Sequence, residues 1–311
     1  MNVLVMSVSN KIPMLKAVRY ALQRLTKLGL LYGADTNEKC LGKFFVDQFW
    51  HCPPLNRLSF DELLEYCRAN NISVIFPSRD GELIFFAEHE SMLRQHGIHV
   101  MVSSTEAVRV SLDKLLFYEE LKGKDLPVIP TSLDRDIRYE SYVVKERFGA
   151  GSKQAGIQIS LDEVDGYIKM MQEPIIQPYI QGTEYSVDMY ISNGHAEGIV
   201  VRERKYVVNG ESQITTTLRN QRVEELCEKL SRLYSFRGHI MFQIIEDGLG
   251  ELHIVECNCR FGGASTLSIA AGLDSFFWFM QESSGEAVKQ LIFKRAEREL
   301  TLIRHTEDYL L

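Results

Sequence analysis

The run Leu252-His253-Ile254-Val255-Glu256-Cys257-Asn258-Cys259-Arg260-Phe261-Gly262-Gly263 alternates chemistry with packing. Glu256, Asn258 and Arg260 stand two residues apart, and side chains two apart on an extended chain share a face. If the extension continues to Arg260, a carboxylate, a carboxamide and a guanidinium converge. Glu and Asn supply hard oxygen donors suited to magnesium, and Arg suits a phosphate or a carboxylate. Gly262 and Gly263 then let the backbone pass close to a ligand. This is a site for metal and phosphate chemistry. Cys257 and Cys259 could be misread as a metal pair, but the alternation sends them to the opposite face, into packing.

A second group of residues could hold phosphate. Tyr142 to Lys145 reads as a strand, 147–156 as a glycine-rich loop, and Ile157 to Ile159 as a second strand. A P-loop would have to open a helix and carry Gly-Lys-Ser/Thr in a fixed frame, so this is not one. A hairpin closing over phosphates fits better, with amides exposed by Gly149 and Gly151 and a hydroxyl from Ser152. An ordinary glycine turn has the same appearance.

The elements that must position these groups follow a β/α rhythm at first. Val3 to Ser7, Leu30 to Asp35, Ile72 to Pro77 and Ile98 to Ser103 read as strands. Met14 to Leu28, Phe60 to Asn70 and Glu82 to Gln95 read as helices. Alternation of this kind implies a parallel sheet with ligands at the carboxyl ends of its strands. Arg79, Asp80 and Glu82 follow one such end; they could bind the charged groups of a substrate or cap the helix that follows. The first turn, Ser7-Val8-Ser9-Asn10, lacks the glycine fingerprint of a dinucleotide site, which excludes a nicotinamide oxidoreductase. After Ser104 the pattern changes, with a helix from Leu112 to Leu121 before the Tyr142 strand.

With 311 residues, 45% of them hydrophobic, the chain can bury a substantial core in two or three lobes. A net charge of −7 argues against nucleic acid as a main partner. No apolar run reaches membrane-spanning length; the stretch from Phe276 to Met280 is far too short. Six cysteines without regular spacing suggest reduced thiols and a cytoplasmic setting.

In order and spacing, these pieces resemble the ATP-grasp superfamily, in particular its carbamoyl-phosphate-synthase-like branch of stand-alone ligases. The resemblance covers essentially the whole chain. It implies an α/β protein with an N-terminal Rossmann-like parallel-sheet domain (1–107) and a two-lobed α+β ATP-grasp module (108–311). Within that module a small nucleotide-closing lobe would run from 108 to about 180 and a metal-binding lobe from about 181 to 311. Asp113-Lys114-Leu115-Leu116-Phe117 resembles the family's Asp-Lys helix, which places Lys114 on the nucleotide phosphates; Lys145 would be the second phosphate-binding base. Ile175 to Asp188 resembles the interlobe hinge. There Gln177, Tyr179 and Ile180 would read the adenine edge, and Glu184, seven positions after Gln177, would bind the ribose hydroxyls. A glutamate is common in the family where Gln177 stands, and Pro178 removes one backbone donor.

Gly238 to Gln243 and Leu252 to Arg260 resemble the paired strands that carry the metals, turned by Asp247-Gly248-Leu249-Gly250. Gln243, Glu256 and Asn258 match the ligand set, with Glu256 bridging two magnesium ions that manganese can replace. The implied reaction is ATP-dependent activation of a small carboxylate as an acylphosphate, followed by attack of an amine. Arg260 and Lys145 would be its catalytic residues. Arg202 and Arg204, in a dense charged segment, and Arg79 and Asp80 are candidates for substrate binding, against solvated faces or a helix cap. Alternatives are a bicarbonate-phosphorylating subunit and a non-catalytic nucleotide-binding regulator. The expected partners are small-molecule carboxylate and amine substrates, with room for a homodimer and none for nucleic acid or a membrane.

Overall fold

The computed structural model describes residues 1–135, 137–149, 154–285 and 291–310. Its first part is a parallel sheet in the order β3-β2-β1-β4-β5, formed by β1 (Asn2–Met6), β2 (Leu31–Asp35), β3 (Gln48–His51), β4 (Ile72–Phe76) and β5 (His99–Val100). The interior strands read as continuous apolar runs because both faces are covered. Val3, Leu4 and Val5 have no exposed surface. Helices α1 (Ile12–Leu25), α2 (Phe60–Ala69) and α3 (Asp80–Gln95) supply the cover. The strand order reverses between β1 and β4, which places the crevice for a ligand at the ends of those two strands. Ser7 to Lys11 and Ser78 to Glu82 lie there.

The expected helix over Leu112–Leu121 is α5 (Lys114–Lys122), and a further helix, α4 (Thr105–Leu112), precedes it. The break has a physical cause at Asp113. Its carboxylate accepts the N–H groups of Leu115 and Leu116, so it caps α5 instead of continuing α4.

A small antiparallel sheet follows, ordered β7-β6-β8, from β6 (Tyr142–Glu146), β7 (Gly156–Ile159) and β8 (Pro174–Pro178). It packs on α6 (Leu161–Ile168) through Tyr142, Val144, Ile159, Val164 and Ile168. The larger sheet is antiparallel, ordered β13-β12-β9-β10-β11-β14. Its strands are β9 (Gly182–Ser192), β10 (His195–Val208), β11 (Glu211–Leu218), β12 (Gly238–Asp247), β13 (Leu252–Asn258) and β14 (Thr301–Ile303). One face packs Val187, Met189, Ile240, Phe242, Ile254 and Cys257 into the core with Val223, Cys227 and Leu230 of α7 (Gln221–Ser231). Cys257 and Cys259 are buried as expected, and all six cysteines are free. Short α8 (Thr266–Ala270) and α9 (Ser275–Ser283) complete the fold; the apolar stretch at Phe276 lies within α9, buried against β4 through Phe76. Among the described residues no helix is long and apolar enough to cross a membrane.

Candidate active site

Register sets the site. Across the larger sheet Glu256 faces Gln243, Gln243 faces Ser186, Ser186 faces Arg202 and Arg202 faces Thr217. Directly opposed residues share a face, so five polar side chains form one row across five strands. The neighbouring rows add Asn258 on one side and Glu184 and Arg204 on the other. Gly182, at the start of β9, has no space for a side chain: a Cβ there would lie 2.2 Å from the Glu246 carbonyl oxygen. The hinge strand is thus pressed tightly onto β12.

The Glu256 end of this row gathers three charges from separate elements. Lys145, near the end of β6, retains some solvent contact but is crowded by protein. Burial lowers its pKa to about 8 against the pull of Glu256 and Glu184, with the Lys114 charge adding to the fall. Burial alone would raise Glu256; the charges of Lys145 and Lys114 and the Asn258 amide outweigh it and hold the carboxylate below its usual range. Asn258 Nδ2 donates to Glu256 Oε1 at 3.2 Å. Gln243 Nε2 donates to Glu184 Oε2 at 3.3 Å. Lys114 opens α5 and donates to the carbonyls of Gly149 (2.8 Å) and Arg147 (3.4 Å). Asp113 holds Arg147 by two bonds of 2.7 and 2.5 Å, which pins the start of the glycine-rich loop to the same helix. Gly149 has φ +108°, a conformation suited to glycine. Gly151 and Ser152 lie outside the described residues.

At the hinge, Gln177 is buried and its Nε2 donates to Thr131 Oγ1 at 2.7 Å, which leaves the oxygen as its other polar atom. The Tyr179 N–H donates to the Ser141 carbonyl, so Tyr179 offers its own carbonyl, not its amide, to a ligand edge. Ile180 is half-buried beside it.

The two substrate candidates on β10 differ. Arg204 is fully engaged, with Glu184 at 3.2 Å, Ser212 Oγ at 3.1 Å and the Gly210 carbonyl at 2.8 Å; it braces the Glu184 carboxylate. Arg202 is 1% exposed and bonded to Asp188 at 2.6 Å, yet its Nη1 has no hydrogen-bond partner among the described residues. An unmade bond at a buried guanidinium is costly, which makes that nitrogen the free donor of the row.

Arg260 lies just past β13, with Nη2 3.5 Å from Asn258 Oδ1. Its Nε and Nη2 hold both oxygens of Asp80, at 2.6 and 2.7 Å. Burial would lower the Arg260 pKa, but Asp80 more than offsets this and raises it. The first turn of α3 divides its labour. Glu82 accepts the N–H groups of Ser78 and Arg79 and the Ser7 hydroxyl, so it is the cap, and burial raises its pKa despite those bonds. Asp80 reaches across to the other domain, and the Arg79 side chain is exposed at the mouth. Sequence reading missed Lys11, half-buried, whose pKa burial and the Arg260 charge lower. Its signal was position alone, just past the first strand end.

A divalent cation fits the donor set in a particular way. Glu256, Gln243 and Asn258 offer one carboxylate and two carboxamides on one face. Among the described residues no group of three or more His, Cys, Asp or Glu could hold a metal. One protein charge suits a magnesium ion that draws its remaining oxygens from phosphates.

Residues 170–305 match the family model "ATP-grasp in the biosynthetic pathway with Ter operon", and residues 3–101 match "PylC-like, N-terminal domain". No curated protein matches the chain. Among solved structures, biotin carboxylase of Campylobacter jejuni in a β-γ-ATP complex superposes with TM-score 0.75 at 14% identity, over 96% of this chain and 74% of that one. The biotin carboxylase domain of Hydrogenobacter thermophilus 2-oxoglutarate carboxylase, with MgADP and bicarbonate, gives 0.74 at 16% over 96% and 73%. L-amino acid ligase of Bacillus licheniformis gives 0.69 at 15% over 91% and 74%. At such identities the superpositions speak for the fold. The fold they show is the one that the ATP-grasp and PylC-like models name for the two matched segments.

Proposed function

We propose that this chain is an ADP-forming ligase that activates a small carboxylate as an acylphosphate, which an amine then attacks. The observation that carries the reading is the meeting of Lys145 and Lys114 with Glu256 in one cleft, on the face that also holds Gln243 and Asn258. Glu184, braced by Arg204, takes the ribose hydroxyls, and the hinge backbone near Tyr179 and Ile180 takes the adenine edge beside Gln177. Lys114, Lys145 and the amides of the loop that includes Gly149, Gly151 and Ser152 hold the phosphates. Phosphoryl transfer needs mainly position and charge neutralisation, so no protein nucleophile is required. Magnesium, as one ion or two, would be held by Glu256, Gln243 and Asn258 and would neutralise phosphate charge.

The substrate carboxylate approaches the terminal phosphorus between Arg260 and the free Nη1 of Arg202. Its oxygen forms the new P–O bond as the bond to ADP breaks. Arg260, fixed by Asp80 on its Nε side, keeps its Nη1 side for the acyl oxygens. The amine then adds to the acyl carbon, loses a proton and expels phosphate. Residues 1–107 and 108–311 act as the two domains that enclose this space. The relatives in complex with β-γ-ATP and MgADP, and the one that ligates amino acids, support the reading. The free thiols fit a reducing cytoplasm.

The test is ADP release with magnesium and ATP against pooled small carboxylates, with hydroxylamine as a general amine acceptor. Carboxylate-dependent ADP and hydroxamate are expected. ATP binding without turnover in any pool would leave a binding protein instead.

A further inference from the structure

The small sheet has two faces, and the proposed nucleotide site uses one of them. Lys145 and Gln177 lie on that face; Val144 and Ile176, one residue back on each strand, turn to the opposite side. A cavity of about 310 Å³ opens on that opposite side, at the edge where residues 131–135 run beside β8. Ser132 and Ile176 hold this edge, each donating its N–H to the other's carbonyl at 2.9 Å. Ile168 of α6 and Ile176 are buried and form the cavity floor, with Pro174 and the exposed Leu133 beside them. Three charged side chains complete the lining: Arg135, Arg147 and Glu173. Arg135 and Glu173 are exposed, and their side chains make no hydrogen bond or ion pair among the described residues. Arg147 is half spent: Nε and Nη2 hold Asp113 at 2.7 and 2.5 Å, while Nη1 makes no hydrogen bond among the described residues.

An aliphatic floor rimmed by two guanidiniums and one carboxylate suits a molecule with an anion, a cation and an apolar tail. A free α-amino acid with an aliphatic side chain has all three. A plain carboxylic acid would leave Glu173 without a cation, and a plain amine would meet two like charges. Arg147 also ties the cavity to the nucleotide side. Its carbonyl accepts from the Lys114 N–H at 3.2 Å and from Lys114 Nζ at 3.4 Å, and the same Nζ reaches the Gly149 carbonyl. Asp113, held by the Arg147 guanidinium, caps the helix that Lys114 opens. One residue of the cavity wall therefore joins Lys114, the cap of α5 and the start of the glycine-rich loop.

We propose that this cavity is an effector site for an aliphatic α-amino acid. The carboxylate lies on Arg147 Nη1 and Arg135, the ammonium on Glu173, and the side chain on Ile168 and Ile176. Occupancy fixes Arg147 and, through its carbonyl and Asp113, the position of Lys114. The amino acid therefore tightens ATP binding, and ATP tightens the amino acid by the same factor. The proposal goes beyond the ligase reading and needs no turnover. It needs only that Lys114 meets the nucleotide phosphates.

L-Leucine is titrated calorimetrically into the full chain, with and without magnesium and a non-hydrolysable ATP analogue. Three further probes each lack one feature: 4-methylpentanoate the ammonium, 3-methylbutylamine the carboxylate and glycine the aliphatic tail. Leucine should bind more tightly than any of the three by about tenfold. Arg135→Met should weaken leucine and 4-methylpentanoate alike, whereas Glu173→Gln should weaken leucine and leave 4-methylpentanoate unchanged. Both residues are exposed and stand apart from the nucleotide face, so each variant should bind the analogue alone as the wild type does. Leucine should tighten the analogue about fivefold in the wild type, and at the same leucine concentration both variants should lose that gain. Leucine binding that both variants retain would place the amino acid in the active cleft instead and overturn the site. Binding that depends on Arg135 and Glu173 but leaves the analogue's affinity unchanged would overturn the effector role. Equal binding of all four probes to the wild type would overturn the proposal as a whole.

Discussion

Two charged groups on the same sheet face are built on opposite principles. Around Asp188 every interaction is closed. The carboxylate is fully buried and accepts from Arg202 Nε at 2.6 Å, Ser265 Oγ at 2.6 Å and Ser268 Oγ at 2.5 Å, with His239 Nε2 at 3.1 Å. His239 is fixed in turn by Ser275 at 2.8 Å. Burial alone would raise the Asp188 pKa, but Arg202 and His239 drive it far below the usual range. Around Glu256 the charges are near one another but loosely bonded: Lys145 and Glu256 influence each other without an ion pair of 4.0 Å or less between them. The closed network holds the sheet and α8 together, and the open one is the proposed phosphate site. Only Arg202 belongs to both, through its spare Nη1.

The contrast predicts separable losses. Glu256→Gln should cost about a thousandfold or more in turnover, since it removes the one carboxylate among the proposed metal donors. Its melting temperature should stay near that of the wild type, because no closed network depends on it. Steady-state ADP release and thermal denaturation of the same preparation check both halves. Full activity in the variant would sink the metal assignment. Asp188→Ala should reverse the pattern. It strands Arg202 and His239 in the core, and breaking a buried pair costs about 3–5 kcal/mol. Urea denaturation should show that loss.

The open network was more legible in the sequence than the closed one. Glu256 and Asn258 are two apart on a strand, and period-two spacing states their common face without knowledge of any partner. Gln243 could be set opposite them because a short turn, Asp247 to Gly250, fixes which strands pair. Asp188 gave no such signal, since its partners come from β10, β12, α8 and the loop before it, a convergence that only the tertiary fold creates. The same limit hid Arg304, which meets Glu211, the Gln213 carbonyl and Gly263 from a position that looks like an ordinary tail. The helix expected from Leu112 starts two residues later for a local reason: the Asp113 side chain, turned onto Leu115 and Leu116, caps α5 at Lys114.

A smaller effect should follow at the clasp between domains. Asp80→Asn keeps the shape but weakens the charge-assisted pair that orients Arg260. It should lower kcat/KM for the carboxylate by about tenfold, with ATP affinity nearly unchanged. Steady-state kinetics with each substrate varied in turn distinguish this from a general loss of fold, which would lower both. An equal fall for ATP would mean that the clasp serves the whole interface and not Arg260.

The smallest effect is a crossing of activity and stability with pH. Lys145 titrates at about 8 in the free protein, whereas an ordinary lysine titrates at 10.5. Only its charged form attracts phosphate, so kcat/KM for ATP should fall as pH rises through about 8. Stability should move the other way. Between the folded and unfolded pKa values the unfolded chain holds the proton that the folded chain has lost, so this residue's contribution to stability rises with pH across that window. Buried thiols such as Cys227, whose pKa burial raises well above its ordinary value, act with the opposite sign, so the comparison must be made against Lys145→Met. The variant should gain in melting temperature relative to the wild type at pH 7, and that gain should shrink toward pH 10. A difference that stays constant with pH would mean that Lys145 keeps its proton throughout and that burial does not govern it.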